Sequence, residues 1–117
     1  MKIHLFDRDA QTESFPAQHT LFAEGDSGQQ MFAVVEGAVD IVIRGTRVET
    51  VEAGGVFGEM ALIEDRPRNA TAIVKDQARL VAIDRKRFLF LVQQNPYFSL
   101  QLMSVMAERL RRMDDRL

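Results

Sequence analysis

Between Gly54 and Ala72 the sequence sets glycines, an acid and an arginine close together. Gly54-Gly55 is followed by Val56-Phe57-Gly58-Glu59-Met60-Ala61-Leu62-Ile63 and then by Glu64-Asp65-Arg66-Pro67-Arg68-Asn69-Ala70-Thr71-Ala72. The run from Glu59 to Ile63 is compatible with a short helix. A helix start preceded by glycine directs backbone N–H groups at whatever lies there and favours an anion. Gly58 permits a ligand to approach the backbone closely. Pro67 stiffens the chain just ahead of Arg68, whose planar fork matches a phosphate bidentately. Ionised Glu59 only accepts hydrogen bonds, so beside an anion it needs donors such as sugar hydroxyls. Together these residues describe a pocket for a sugar phosphate.

Few other residues could carry a reaction. The chain has no Cys, which removes thiol catalysis, iron–sulfur clusters and cysteine-ligated zinc. Its four Ser lack a nucleophile elbow or a nearby His. His4 and His19 lack partners at metal-ligand spacing, so surface or packing roles are expected and no metal site is. Glu64, Asp65 and Arg66 read as solvated loop charges. The six Met are mostly core filler, the terminal helix being a partial exception. A non-enzymatic chain that requires no cofactor is the expectation.

The elements that must position this segment fit one domain spanning 1–117, with 46% apolar and 27% charged residues. Lys and Arg number 15 against 17 Asp and Glu, so the basic excess of a phosphate-backbone binder is absent and no nucleic acid partner is expected. The start turns acidic within seven residues, unlike a signal peptide. The longest apolar runs, such as residues 88–92, fall far short of the ~20 needed to span a bilayer. A soluble, cytoplasmic protein without membrane contact is expected.

Residues 12 to 84 read as strands joined by turns, with segments at 20–23, 31–36, 38–43, 47–51, 70–75 and 79–84. Turn residues separate them at Gly25-Asp26-Ser27-Gly28, Gly37, Gly45 and Ala53-Gly54-Gly55. That spacing predicts a barrel or sandwich of antiparallel strands, with Arg44-Gly45-Thr46 as a hairpin turn. After Asp84, read as an N-cap, Phe88, Leu91 and Val92 take up helical spacing. Asn95-Pro96 stops that helix, and a second runs from about residue 96 to the terminus. The order is strands first, about 12–84, then helices, about 85–117.

The stretch FGEMALIEDRPRNATA, residues 57–72, resembles the phosphate-binding cassette of the cyclic nucleotide-binding domain family, found in catabolite activators, kinase regulatory subunits and gated channels. Residues 15–26 resemble that family's opening turn, and residues 31–37 its next strand. The resemblance spans roughly residues 12 to 112. It implies an antiparallel β-roll, double-stranded and jelly-roll-like, followed by C-terminal helices. It further implies that Arg68 neutralises a cyclic phosphate and that Glu59 accepts from the ribose 2′-hydroxyl. Gly58 would offer backbone to the ribose, and Ala61, Asn69 and Ala70 would offer backbone to the phosphate. Met60 falls in the same ligand-binding stretch, and Ile41 would wall the base. Two departures stand out. Asn69 occupies a position that is often Ser or Thr, and Ala17-Gln18-His19 replaces a turn that usually holds glycine.

The terminal helix carries Met103, Met106, Leu110, Met113 and Leu117 in an a/d seam of about two heptads. It reads either as a helix packed on its own β-roll or as a weak homodimer helix. The family's last helix also caps the purine, a role that falls here on Met113 and Asp114. The resemblance implies a cyclic nucleotide sensor, cAMP ahead of cGMP, that signals to an unknown effector through its C-terminal helices. The chain is then a stand-alone sensor or the sensor half of a transcription regulator whose DNA-binding part is absent. The alternative is a β-roll interaction module that binds no nucleotide, with Arg68 and Glu59 a structural ion pair.

Overall fold

The computed structural model describes residues 2–115, with side chains through Met113. Its sheet is built on two long antiparallel strands, β3 (Gln30–Ile43) and β6 (Thr71–Asp84), paired from Gln30↔Asp84 to Val42↔Thr71. Strand β1 (Thr12–Phe15) and strand β2 (Thr20–Phe22) pair with β6, while β4 (Thr46–Glu52) and β5 (Val56–Phe57) pair with β3. The principal order β1-β6-β3-β4 is an open antiparallel path, so the sheet curls without closing into a barrel.

Two of the expected boundaries are absent. Segments 31–36 and 38–43 are one strand, as are 70–75 and 79–84. The reason lies at Gly37, which has φ +85° and where a Cβ would stand 2.2 Å from the Gln77 carbonyl oxygen. The register shifts on either side of Ala38 bend the paired strands together without reversing them. The hairpin at Arg44-Gly45 forms as expected. Both residues take positive φ, which matches the twist of the flanking strands β3 and β4. Gln18, at the position that lacks a glycine, is held at φ +74°. That conformation costs a non-glycine roughly 1–2 kcal/mol. Backbone bonds from Gln18 N to Val74 O, at 2.7 Å, and from Val74 N to His19 O, at 2.9 Å, keep the turn in place.

Asp84 caps helix α2 (Arg85–Gln94) by accepting from the Arg87 amide at 2.8 Å. Asn95-Pro96 ends it, and helix α3 (Pro96–Asp115) begins with proline in its first turn, where the missing N–H is harmless. Helix α3 packs inward through Phe98, Leu102 and Val105, all buried. Phe98 lies 5.8 Å from Phe6 and 6.0 Å from Phe88, ring to ring in edge arrangements. The a/d seam is therefore not the face that packs on the sheet. Met103, Leu110 and Met113 are 59%, 63% and 61% exposed, and Met106 alone of the described seam residues packs against the core. Leu117 lies outside the described residues.

One hydrophobic cluster fills the roll with Val34, Val39, Val51, Phe57, Val74 and Leu80. A second joins the roll to α3 through Ile3, Phe6, Met31, Val56 and Ile83. The segment before residue 12 thus belongs to the core. It is pinned by Ile3 N to Gly54 O and by an ion pair between Asp9 and Arg87. Burial pushes the Asp9 carboxyl up, but the Gln11 amide and the Arg87 guanidinium outweigh it and hold the group below the ordinary range.

Candidate functional site

Strand β5 pairs Phe57 with Phe32 and Val56 with Ala33, and so delivers Gly58 to the edge of the sheet. Gly58 has φ +77°, and a Cβ there would stand 2.9 Å from Arg68 Nη1. The position requires glycine for both backbone and space. Helix α1 (Met60–Ile63) follows, with Glu59 as an N-cap that makes no side-chain capping bond. The helix is a single turn. Its Ala61 amide already donates to Gly58 O at 3.3 Å and its Leu62 amide to Glu59 O at 3.0 Å. Ala61, expected to offer backbone to a phosphate, lies in this turn with its amide directed at the Gly58 carbonyl. Met60 is partly exposed beside it.

Arg68 is fixed at both backbone and side chain. Its amide donates to Asp26 O at 2.8 Å, and its carbonyl accepts from Gly25 N at 2.8 Å. Nη1 donates to Gly58 O at 3.1 Å and Nη2 to Gln30 O at 2.7 Å. Nε is buried and makes no hydrogen bond among the described residues. Burial lowers the guanidinium pKa, opposed by the charges of Asp26 and Glu59. No carboxylate stands within ion-pair distance of Arg68 among the described residues. Two of its five N–H groups hold it in place by donating to these carbonyls. Asn69 is exposed and Ala70 is buried. Among the described residues their amides make no backbone hydrogen bond outside the regular ladders.

Glu59 is 5% exposed, the only buried charged side chain among the described residues. Its partner is Arg109 on α3, whose Nη1 donates to Glu59 Oε1 at 2.7 Å. Arg109 is gripped in turn by Glu49 on β4, with Nε to Oε1 at 3.0 Å and Nη2 to Oε2 at 3.2 Å, and it also donates to Val56 O. Burial lowers the Arg109 pKa, but the two carboxylates outweigh it and the group sits above its ordinary value. The structural ion pair between Arg68 and Glu59 that the alternative reading required does not form. Each has other partners.

Ile41 lies opposite Glu49 on β4 and Ala72 on β6, packed against the inner cluster. The structure brings Gly58 to Arg68 and Glu59 to α3, with Ile41 on the strand facing Glu49. Met113 is exposed and belongs to neither cluster, while the side chain of Asp114 lies outside the described residues. Glu49 and Arg109 were absent from the expected site. The signal was present for Arg109: it follows Phe98, Leu102 and Val105 on one helical face, and a charge on a buried face requires a partner. The remaining polar candidates are unremarkable in role. His4 pairs with Asp7 at 3.0 Å, His19 stacks on Phe15, and no group of three metal-ligating side chains occurs among the described residues.

The family model described as the cyclic nucleotide-binding domain matches residues 12–95. The CRP-like cAMP-activated global transcriptional regulator of Mycobacterium tuberculosis is 30% identical over 115 residues, covering 94% of this chain and 51% of the regulator. The crystal structure of Thermus thermophilus catabolite activator protein matches with a TM-score of 0.79 and 29% identity, over 91% of this chain and 52% of that one. A cyclic nucleotide-binding domain from Methylobacillus flagellatus shares the fold at a TM-score of 0.80 and 23% identity, over 91% of this chain and 65% of its own. The open antiparallel sheet is the β-roll of such domains. The chain spans about half the length of the curated relatives it matches. No helix among the described residues is long and apolar enough to cross a membrane.

Proposed function

The chain belongs to the cyclic nucleotide-binding domain family, and on that premise we propose that it is a receptor for a cyclic purine nucleotide, cAMP ahead of cGMP. The observation that carries the reading is Arg68, a partly buried cation held by two carbonyls with no carboxylate within ion-pair distance among the described residues. The cyclic phosphate supplies that charge, with the Asn69 and Ala70 amides alongside. Glu59 Oε1 stays on Arg109 while Oε2 accepts from the ribose 2′-hydroxyl, and Gly58 lets the sugar approach. Ile41 lines the base. The cAMP preference is supported by the Mycobacterium tuberculosis relative, a cAMP-activated regulator.

The ribose contact has a direct test. A hydrogen bond to a charged group contributes about 1.5–3 kcal/mol. In displacement of a fluorescent cAMP analogue, 2′-deoxy-cAMP is expected to bind about ten- to a hundredfold more weakly than cAMP. Equal affinities would remove Glu59 from the site.

Signalling in this proposal runs through Arg109, because it joins the ribose acceptor on the cassette to α3. A nucleotide shifts the position of α3 only by its differential affinity for the two states. The exposed seam of Met103, Leu110 and Met113 is proposed to meet a second copy weakly, and linkage makes any ligand effect on that dimer reciprocal. Leu110→Asp is expected to give a folded monomer, since its side chain faces water. Met106→Asp is expected to lower stability, since Met106 packs against the core. Sedimentation velocity with and without cAMP reads the outcome; a wild-type monomer at every concentration would contradict the dimer.

A further inference from the structure

The guanidinium of Arg68 lies over a ring that belongs to no part of the cassette. Its Cζ is 4.0 Å from the centroid of Phe22, on strand β2, well inside the ~6 Å reach of a cation–π contact. Phe22 is itself immobilised. It pairs with Ala72 on β6 and is grouped with Phe32 at 6.0 Å and Phe57 at 6.1 Å, while those two rings stack at 5.3 Å. The loop that follows β2 closes on the same side chain. A Cβ at Gly28 would stand 2.7 Å from both Nε and Nη2 of Arg68, so a side chain there would displace the guanidinium from its seat.

We propose that Phe22 is a positioning residue for the phosphate, acting through the plane of the Arg68 guanidinium. The carbonyls of Gly58 and Gln30 fix the two Nη atoms, and a plane held at its two ends can still rock about the line between them. The ring face removes that freedom. It also stabilises a partly desolvated cation without consuming an N–H donor or cancelling its charge, both of which a carboxylate in the same place would do. The guanidinium is thereby presented charged, oriented and still hungry for an anion. This inference rests on the proposed nucleotide site and adds to it a residue from the opening turn.

The test is a double-mutant cycle read by cAMP affinity, with thermal unfolding as the control for folding. Phe22→Leu is expected to weaken binding about 3- to 30-fold, and Phe22→Tyr, which keeps the ring face, to stay within about threefold of wild type. In an Arg68→Ala background Phe22→Leu is expected to cause no further loss, because its effect passes through the guanidinium. Equal losses in both backgrounds, or none in the wild-type background, would overturn the role of Phe22. A wild-type chain that binds no cAMP would instead overturn the proposed function itself. Should Phe22→Leu fail to fold, the wild-type protein supplies the answer by nitrogen-edited NMR. The Arg68 Nε–H resonance, assigned by its loss in Arg68→Lys, is expected to be displaced by the ring current and to move on adding cAMP. A resonance coincident with those of exposed arginines would contradict the proposal.

Discussion

Arg68→Ala is expected to leave a folded chain that binds cAMP weaker by roughly 2–5 kcal/mol, about thirtyfold or more in Kd. The size is that of truncating one partner of a close charge pair, here the pair formed with the cyclic phosphate. The fold survives because the links between this loop and the 25–26 turn are backbone bonds, from Gly25 N to Arg68 O and from Arg68 N to Asp26 O, which any side chain permits. The carbonyls of Gly58 and Gln30 lose a donor, but the side chain that held them is itself only partly buried, so water can take its place. Arg68→Lys should fall between the two, since an ammonium keeps the charge and loses the planar fork. Binding is read by calorimetry and folding by thermal unfolding. Unchanged affinity in a folded Arg68→Ala chain would remove Arg68 from the phosphate site.

Arg109→Ala is expected to act on stability first. It leaves the Glu59 carboxylate, 5% exposed, without the cation that compensates its burial. Removing one partner of a buried pair typically costs about 3–5 kcal/mol. For a domain of this size that lowers the melting temperature by more than about 10 °C. The loss should concentrate where α3 meets the roll, because Arg109 also ties α3 to Glu49 and Val56. Adding Glu59→Gln should recover much of the stability, since a neutral amide is cheaper to bury than an unpaired carboxylate. Arg109→Lys should retain part of it, keeping charge opposite Glu59 but not the bidentate grip on Glu49. A melting temperature unchanged in Arg109→Ala would show that Glu59 needs no such partner, and would undo the route from ribose to α3.

The two arginines mark the boundary of what the sequence discloses. Gly58, Pro67 and Arg68 could be read directly, because backbone freedom, stiffness and a planar fork are properties of the residues themselves. The same holds for the Asp84 cap, the Arg44-Gly45 hairpin and the break at Asn95-Pro96, which depend on neighbours along the chain. The ion pair between Arg109 and Glu59 spans 50 positions and is fixed only once α3 docks. The seat of Arg68 likewise draws on Phe22, Gly28 and Gln30 from a different part of the chain. Helix α3 illustrates why periodicity is insufficient. It carries two apolar stripes, and the seam was the more regular, yet the stripe with Phe98 went inward because Phe6 and Phe88 receive its ring. Gly37 misled in the opposite sense. A lone glycine looks the same whether the chain turns or merely bends, and the register of β6 against β3 decides.

Isothermal titration of the 117-residue chain with cAMP, beside 5′-AMP as the ring-opened control, tests the central claim most directly. The account predicts saturable heat for a single site, with cAMP the tighter ligand and its affinity about thirtyfold or more weaker in Arg68→Ala. No heat from cAMP, and no rise in melting temperature with cAMP present at millimolar concentration, would contradict it.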